Sequence, residues 1–213
     1  MNSNLGDYKL KTLFIPSVKT NCYLLIKKDE AILVDAAGDG EYIFNYLNKN
    51  SIKIKSILIT HGHYDHIEAL DLLHEKCPDA TIYAPQSEKR VIEDKNASLM
   101  DHELKNETRS FIKYIEDGSL IHELGLDILM VTTPGHTAGS SCYYISRLKI
   151  LFSGDTLFRD TYGRYDLPTG DEQLIRESIK TKLFTLDGDT KVFPGHGWDT
   201  TIEYEKQNNE INY

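Results

Sequence analysis

Long hydrophobic runs are missing from this chain of 213 residues: no apolar stretch approaches the ~20 residues that span a bilayer. The opening, MNSNLGDYKLKTLFIPS, has no apolar core of the kind a secretory signal carries. The expectation is a cytoplasmic protein with no membrane contact. Cysteine is scarce too, with only Cys22, Cys77 and Cys142, in no Cys-x-x-Cys spacing. That argues against a disulfide framework or a thiolate zinc site and suits a reducing compartment, so all three read as small buried hydrophobes. The third shortage is positive charge. Lys and Arg number 24 against 33 Asp and Glu, leaving a net charge of -9 that repels a phosphate backbone and removes nucleic acid from the expected partners. No internal repeat, low-complexity tract or Gly/Ser linker interrupts the chain, which therefore reads as a single domain over 1–213. A composition 40% hydrophobic and 27% charged excludes disorder as the dominant state.

Strand-like and helix-like segments alternate along the chain. Residues 21–28 and 31–36 read as strands around a turn at Lys28-Asp29-Glu30, and Ile43, Phe44 and Leu47 mark a helix over 41–49. A buried-strand run, SILIT at 56–60, leads into a helix over about 66–76, and TIYA at 81–84 is again a strand. Residues 86–113 are charged and helical with interruptions, and read as a solvated cover. Strand patterns return at 119–133, 141–146, 149–153 and 190–193, with a helix near 171–183 and a short one from about 201. Alternating elements with paired strands predict an α/β sandwich, sheets inside and helices outside.

Three of the eight histidines fall within six residues, His61-Gly62-His63-Tyr64-Asp65-His66. At this chain's composition such a pattern arises by chance on the order of once in a thousand sequences. Two apart in extended backbone, His61 and His63 project to the same side and suit one ion, whereas Asp65 and His66, at the start of a helix, suit a second. The competing reading makes Asp65 a helix N-cap and the histidines polar loop residues. Three more segments place a metal-type side chain after a strand and a glycine: ILMVTT-Pro134-Gly135-His136, KILFS-Gly154-Asp155 and TKVF-Pro194-Gly195-His196. With SILIT-His61, four strands then deliver ligands past their carboxyl ends, where open α/β sheets build their sites. The seven candidates, His61, His63, Asp65, His66, His136, Asp155 and His196, make one bridging carboxylate and three ligands for each of two ions. Without thiolates zinc is favoured, though iron and manganese bind such sets too.

On TNCY (20–23), ILVDAAG (32–38), THGHYDH (60–66), TPGHTAGS (133–140), SGDTLF (153–158), GRYDLPTG (163–170) and PGHGWDTT (194–201), the chain resembles the metallo-β-lactamase-fold hydrolases and, among them, the glyoxalase II-like (hydroxyacylglutathione hydrolase-like) proteins. The resemblance implies an αββα sandwich of two mixed β-sheets with outer helices. It implies that His61, His63 and His136 hold one divalent metal ion, that Asp65, His66 and His196 hold the other, and that Asp155 bridges them. It also implies that Asp35 supports the histidine loop from behind; a strand-ending turn is the other reading. The expected activity is a metallohydrolase, a thioesterase using a metal-bridged hydroxide oriented by Asp65 on a small-molecule thioester or related ester.

The glutathione-gripping helical region of longer relatives has no counterpart before Tyr213, and Arg159-Asp160-Thr161-Tyr162 replace the small residues usual before Gly-Arg, so glutathione specificity is not expected. Two alternatives stand beside the hydrolase. One is an iron-dependent persulfide dioxygenase, which uses a similar Gly-Arg-x-Asp element and one iron on residues matching His61, His136 and Asp155. The other is a non-catalytic, metal-stabilised binding module. Zinc β-lactamases fall behind because they lack the bridging aspartate. Arg164 and Asp166 contact substrate or pair with each other, and Tyr64 lines the pocket or packs. His74, His102 and His122 lie outside every strand-end turn, and Asn96 to Leu99 resembles a pocket overhang.

Overall fold

A computed structural model describes residues 2–212 as two facing mixed sheets with helices outside them. The first sheet runs in sequence order: β1 (Asn2–Leu5), β2 (Tyr8–Ile15), β3 (Thr20–Lys27), β4 (Glu30–Val34), β5 (Lys53–Leu58), β6 (Thr81–Pro85) and β7 (Ile112–Ile115). Its first three pairings are antiparallel hairpins and the rest are parallel crossovers. The second sheet has the order β13 (Thr200–Thr201), β12 (Lys191–Pro194), β11 (Ile150–Gly154), β10 (Ser141–Ile145), β9 (Leu126–Thr132), β8 (Leu120–Glu123), with β11 and β12 parallel.

Apolar side chains on alternate positions fill the space between the sheets, with Tyr23, Leu25, Ile32 and Val34 meeting Ile128, Tyr143, Phe152 and Phe193. The opposite face of the first sheet is covered by α1 (Gly40–Lys49), α2 (Tyr64–Ile67) and α3 (Leu70–Lys76) through Ile43, Leu47, Ile67, Leu70 and Leu73. The segment of α4 (Lys89–Glu93), α5 (Lys95–Ser98) and α6 (Asn106–Phe111) joins them. The outer face of the second sheet carries α7 (Glu172–Thr181) and α8 (Ile202–Asn208) through Ile175, Ile179 and Ile202. The expected αββα layering is what the chain adopts, and no helix among the described residues is long and apolar enough to cross a membrane.

Several local expectations need correction. The helix over 66–76 starts earlier and is broken, α2 beginning at Tyr64 and α3 at Leu70. The run 119–133 is a hairpin, because Leu124 (φ 53°) and Gly125 (φ 76°) both take the left-handed conformation of a tight two-residue turn. Strands β1, β2, β7 and β13 lie where no strand was expected. Cys22 and Cys142 are buried, but Cys77 is only half-buried at the end of α3. The segment 86–113 is not wholly a solvated cover, since Glu88, Val91 and Ile92 are buried.

Candidate metal centre

Four strands point their carboxyl ends at one place. β5 runs into His61, β9 into His136, β11 into Asp155 and β12 into His196, so loops far apart in sequence converge above the sheets. Asp65 and His66 come from the first turn of α2, whose N-cap is His63; Asp65 is therefore inside the helix rather than its cap. All seven sequence candidates meet. Ligand-type atoms of His61, His63 and His136 lie within 4.8 Å of one another, as do those of Asp65, His66 and His196, and a third trio of His61, His66 and Asp155 joins the two. Asp155 touches both sides: Oδ1 lies 3.3 Å from His66 Nε2, and Oδ2 lies 3.3 Å from His196 Nε2 and 3.6 Å from His136 Nε2.

Each of four imidazoles has its rear nitrogen tied, which fixes the ring and leaves the other nitrogen to the centre. His66 Nδ1 pairs with Asp35 Oδ2 at 2.8 Å, His136 Nδ1 with the Arg164 carbonyl at 2.7 Å, His196 Nδ1 with the Lys19 carbonyl at 2.8 Å, and His61 Nδ1 with Thr60 Oγ1 at 3.1 Å. Asp35 is the anchor its motif implied. Its Oδ1 accepts the Thr60 N–H at 2.8 Å while Oδ2 accepts the Thr60 hydroxyl at 2.9 Å, so one carboxylate steadies both His61 and His66. Glycines make the convergence possible: a Cβ at Gly195 would strike Asp155 Oδ1 and the His66 ring.

Electrostatically the centre has two halves. Burial, reinforced by neighbouring imidazoles, holds His61 well below its usual range and His63 at about 3, and burial also lowers His136. These three are neutral donors. Around the carboxylates the balance reverses: burial opposes charge on His66 and His196, but Asp155 and its neighbours outweigh it, raising both, His196 to about 10. Asp65 and Asp155 are held low despite burial, by His66 first. Buried His61 Nε2, His66 Nε2 and Asp155 Oδ1 have no hydrogen-bond partner among the described residues. Orphaned donors and acceptors of imidazole and carboxylate type, grouped in three trios of which the middle one shares a residue with each of the others, fit divalent cations.

The remaining candidates fall outside. Arg164 and Asp166 pair bidentately at 2.7 and 2.8 Å on the surface, and it is the Arg164 backbone that serves the site. Tyr64 is 39% exposed, His122 pairs with Asp127, and His74 lies against Phe111. Asn96 to Ser98 form the end of α5, with Leu99 left-handed behind them.

Three kinds of support escaped the sequence reading: a hydroxyl, two backbone carbonyls and a buried carboxyl. Thr20 donates to Asp65 Oδ2 at 3.2 Å, a role hidden because Thr20 opens a strand like any other threonine. The carbonyls of Lys19 and Arg164 carry no side-chain signal at all. The third is Glu88, fully buried, whose Oε1 accepts the N–H of Gly62 at 2.9 Å between two candidate ligands. Its neighbour Oε2 lies where a Cβ on Gly139 would collide, so Glu88 touches the His61–His63 loop and the loop after His136 together. A charged run disguised it.

The sequence profile of the metallo-beta-lactamase superfamily matches residues 16–196. The probable metallo-hydrolase YqgX of Bacillus subtilis is 36% identical over 94% of this chain and 96% of its own length. The hydroxyacylglutathione hydrolase GloC of Haemophilus influenzae is 29% identical over 92% and 93%. Among solved structures, the BLEG-1 B3 metallo-beta-lactamase superposes with a TM-score of 0.81 at 31% identity, covering 95% of this chain and 98% of its own. TTHA1623 in a di-iron-bound form superposes with a TM-score of 0.83 at 26% identity, covering 94% and 99%.

Proposed function

This chain belongs to the metallo-beta-lactamase superfamily, and from that premise we propose that it is a binuclear metallohydrolase that cleaves a small-molecule thioester or related ester. The observation that carries the proposal is the pair of ligand trios meeting at Asp155. In this reading His61, His63 and His136 would hold one divalent ion and Asp65, His66 and His196 the other, with Asp155 available to both. Bound divalent ions supply a Lewis acid for the scissile carbonyl and lower the pKa of a water from about 15.7 toward 7.

The chain's own groups do the rest. Asp65 Oδ2 is occupied by Thr20 and lies 3.2 Å from His196 Nε2, which leaves Oδ1 to orient the attacking water. The carboxylate is kept ionised by its neighbours, so it can hold a proton-donating water at neutral pH. Asp35, Thr60 and the Arg164 and Lys19 carbonyls prevent the imidazoles from turning. A departing thiol has a pKa of about 8.5 and leaves without a proton donor, so the chemistry needs no separate general acid. GloC is named a hydroxyacylglutathione hydrolase, and an acyl group carried on the glutathione thiol is a thioester, which supports this class of reaction. Zinc, iron and manganese all suit the donors, and the neighbour TTHA1623, solved in a di-iron-bound form, supports iron.

The test is elemental analysis of the purified protein together with a panel of thioesters read by thiol release, with a β-lactam and a persulfide under oxygen electrode as competing substrates. Two metal ions per chain and chelator-sensitive thiol release are expected. A single iron with oxygen consumption on the persulfide, or turnover confined to the β-lactam, overturns the reading.

A further inference from the structure

Four of the five candidate imidazoles are tied through the ring from behind; His63 is not. Its Nδ1 lies 2.9 Å from His136 Nε2 within the centre, and its Nε2 is buried with no hydrogen-bond partner among the described residues. The place of the His63 ring therefore depends on the backbone that carries it. In that backbone, the buried N–H of Gly62 donates to Glu88 Oε1 at 2.9 Å. Gly62 is also pressed onto α4, since a Cβ there would stand 2.9 Å from the Ile92 backbone nitrogen. The loop beyond His136 meets the same segment: a Cβ on Gly139 would collide with the Glu88 backbone nitrogen and stand 2.6 Å from Glu88 Oε2.

The His136 loop is stiff in itself. The Gly135 N–H donates to the Thr137 carbonyl at 2.9 Å, the Thr137 N–H to Ser140 Oγ at 3.0 Å, and the Ser141 N–H to the Thr60 carbonyl at 3.0 Å, beside His61. Glu88, in the 3₁₀ turn Gln86–Glu88 just before α4, closes the gap between this rigid loop and the His61–His63 stretch. The other trio is braced elsewhere: Thr20 holds Asp65, Asp35 holds His66 and the Lys19 carbonyl holds His196. A leucine at position 88 would fill the space without desolvating a carboxyl, but it would leave the Gly62 N–H buried without an acceptor. We infer that Glu88 is a positioning residue for one half of the centre: it sets His63 in register with His136, and so fixes the affinity of the ion that His61, His63 and His136 would hold, apart from the ion of Asp65, His66 and His196. The inference rests on the two-ion reading above.

The test is a zinc titration of the chelated full-length protein, followed by the side-chain nitrogen shifts of its histidines in NMR, which report each imidazole separately. In Glu88→Leu the zinc midpoint read at His63 and His136 should rise about 10- to 100-fold relative to the midpoint read at His66 and His196. Glu88→Gln keeps the acceptor and should restore the native ratio of the two midpoints. Thr20→Val, which strips the donor from Asp65, should move that ratio the opposite way. A merely structural role would loosen both halves together, raising both midpoints and leaving their ratio unchanged; that result overturns the inference, as does a Glu88→Gln variant that loses as much as Glu88→Leu. If Glu88→Leu does not fold, Glu88→Asp decides, because it retracts the acceptor by one methylene and should shift the ratio in the same direction; a native ratio there overturns the inference too. A native chain whose imidazoles ignore zinc sinks the two-ion reading itself, and this inference with it.

Discussion

Asp35 sits at φ +60°, a left-handed conformation that costs a non-glycine residue about 1–2 kcal/mol, and it holds Thr60 and His66 with three hydrogen bonds at that expense. Asn tolerates the same backbone, so Asp35→Asn isolates the hydrogen bonding; metal affinity should fall about 10- to 100-fold with the fold intact, measured by competition with a chelating dye. If Asp65 orients the attacking water as proposed, Asp65→Asn should lower kcat by about 10²- to 10⁴-fold while circular dichroism stays unchanged. Glu88 belongs to this scale as well. Burial raises its carboxyl from 4.5 to about 7 against the opposing Gly62 N–H, so the folded protein keeps a proton that the unfolded chain releases. Stability therefore falls as pH rises from about 4.5 through about 7, by at most about 3 kcal/mol. Glu88→Gln should flatten that fall relative to the native chain in urea unfolding at pH 5 and pH 8.

Among the elements that supply no ligand themselves, α7 (Glu172–Thr181) packs against the loop that carries His136. Asp171 caps it by accepting the Leu174 N–H at 2.9 Å, and the Asp171 N–H in turn donates to the Gly135 carbonyl at 2.8 Å, next to His136. Asp171→Ala should destabilise by about 1 kcal/mol through the lost cap. Gly135→Ala should do more, above about 2 kcal/mol, because φ there is +134° and a Cβ would collide with the Ile175 backbone in the first turn of α7. Chemical denaturation of both variants orders them. Elements with long apolar runs, such as β3, β4 and β11, are legible from their residues. β7 is not: Lys113 interrupts it, and only its parallel pairing with β6 makes it a strand. The inward run of β2 is legible afterwards as alternation of Tyr8 and Leu10 with Lys9 and Lys11, although the polar residues mask it.

For the molecule as a whole, the candidate centre gathers two carboxylates and five imidazoles from both halves of the chain, so cations that bind it bind only the folded state. Metal loading should then raise the melting temperature and chelation lower it; free metal at a thousand times its Kd adds about 4 kcal/mol. Differential scanning calorimetry of chelated and zinc-reloaded protein measures the difference, and identical curves would contradict cation binding at this centre. The sandwich explains why loops so distant can cooperate: every contributing strand ends on one rim, and the two packed sheets hold that rim rigid.

Residue types and spacing by themselves determined the αββα class and all seven candidate ligands, because imidazoles and carboxylates placed after glycine turns at strand ends announce themselves wherever the chain goes. Only the tertiary structure decided which atoms stand behind them. The Lys19 and Arg164 carbonyls are backbone groups, identical at every residue, and Glu88 is one acid in a charged run until packing buries it against Gly62.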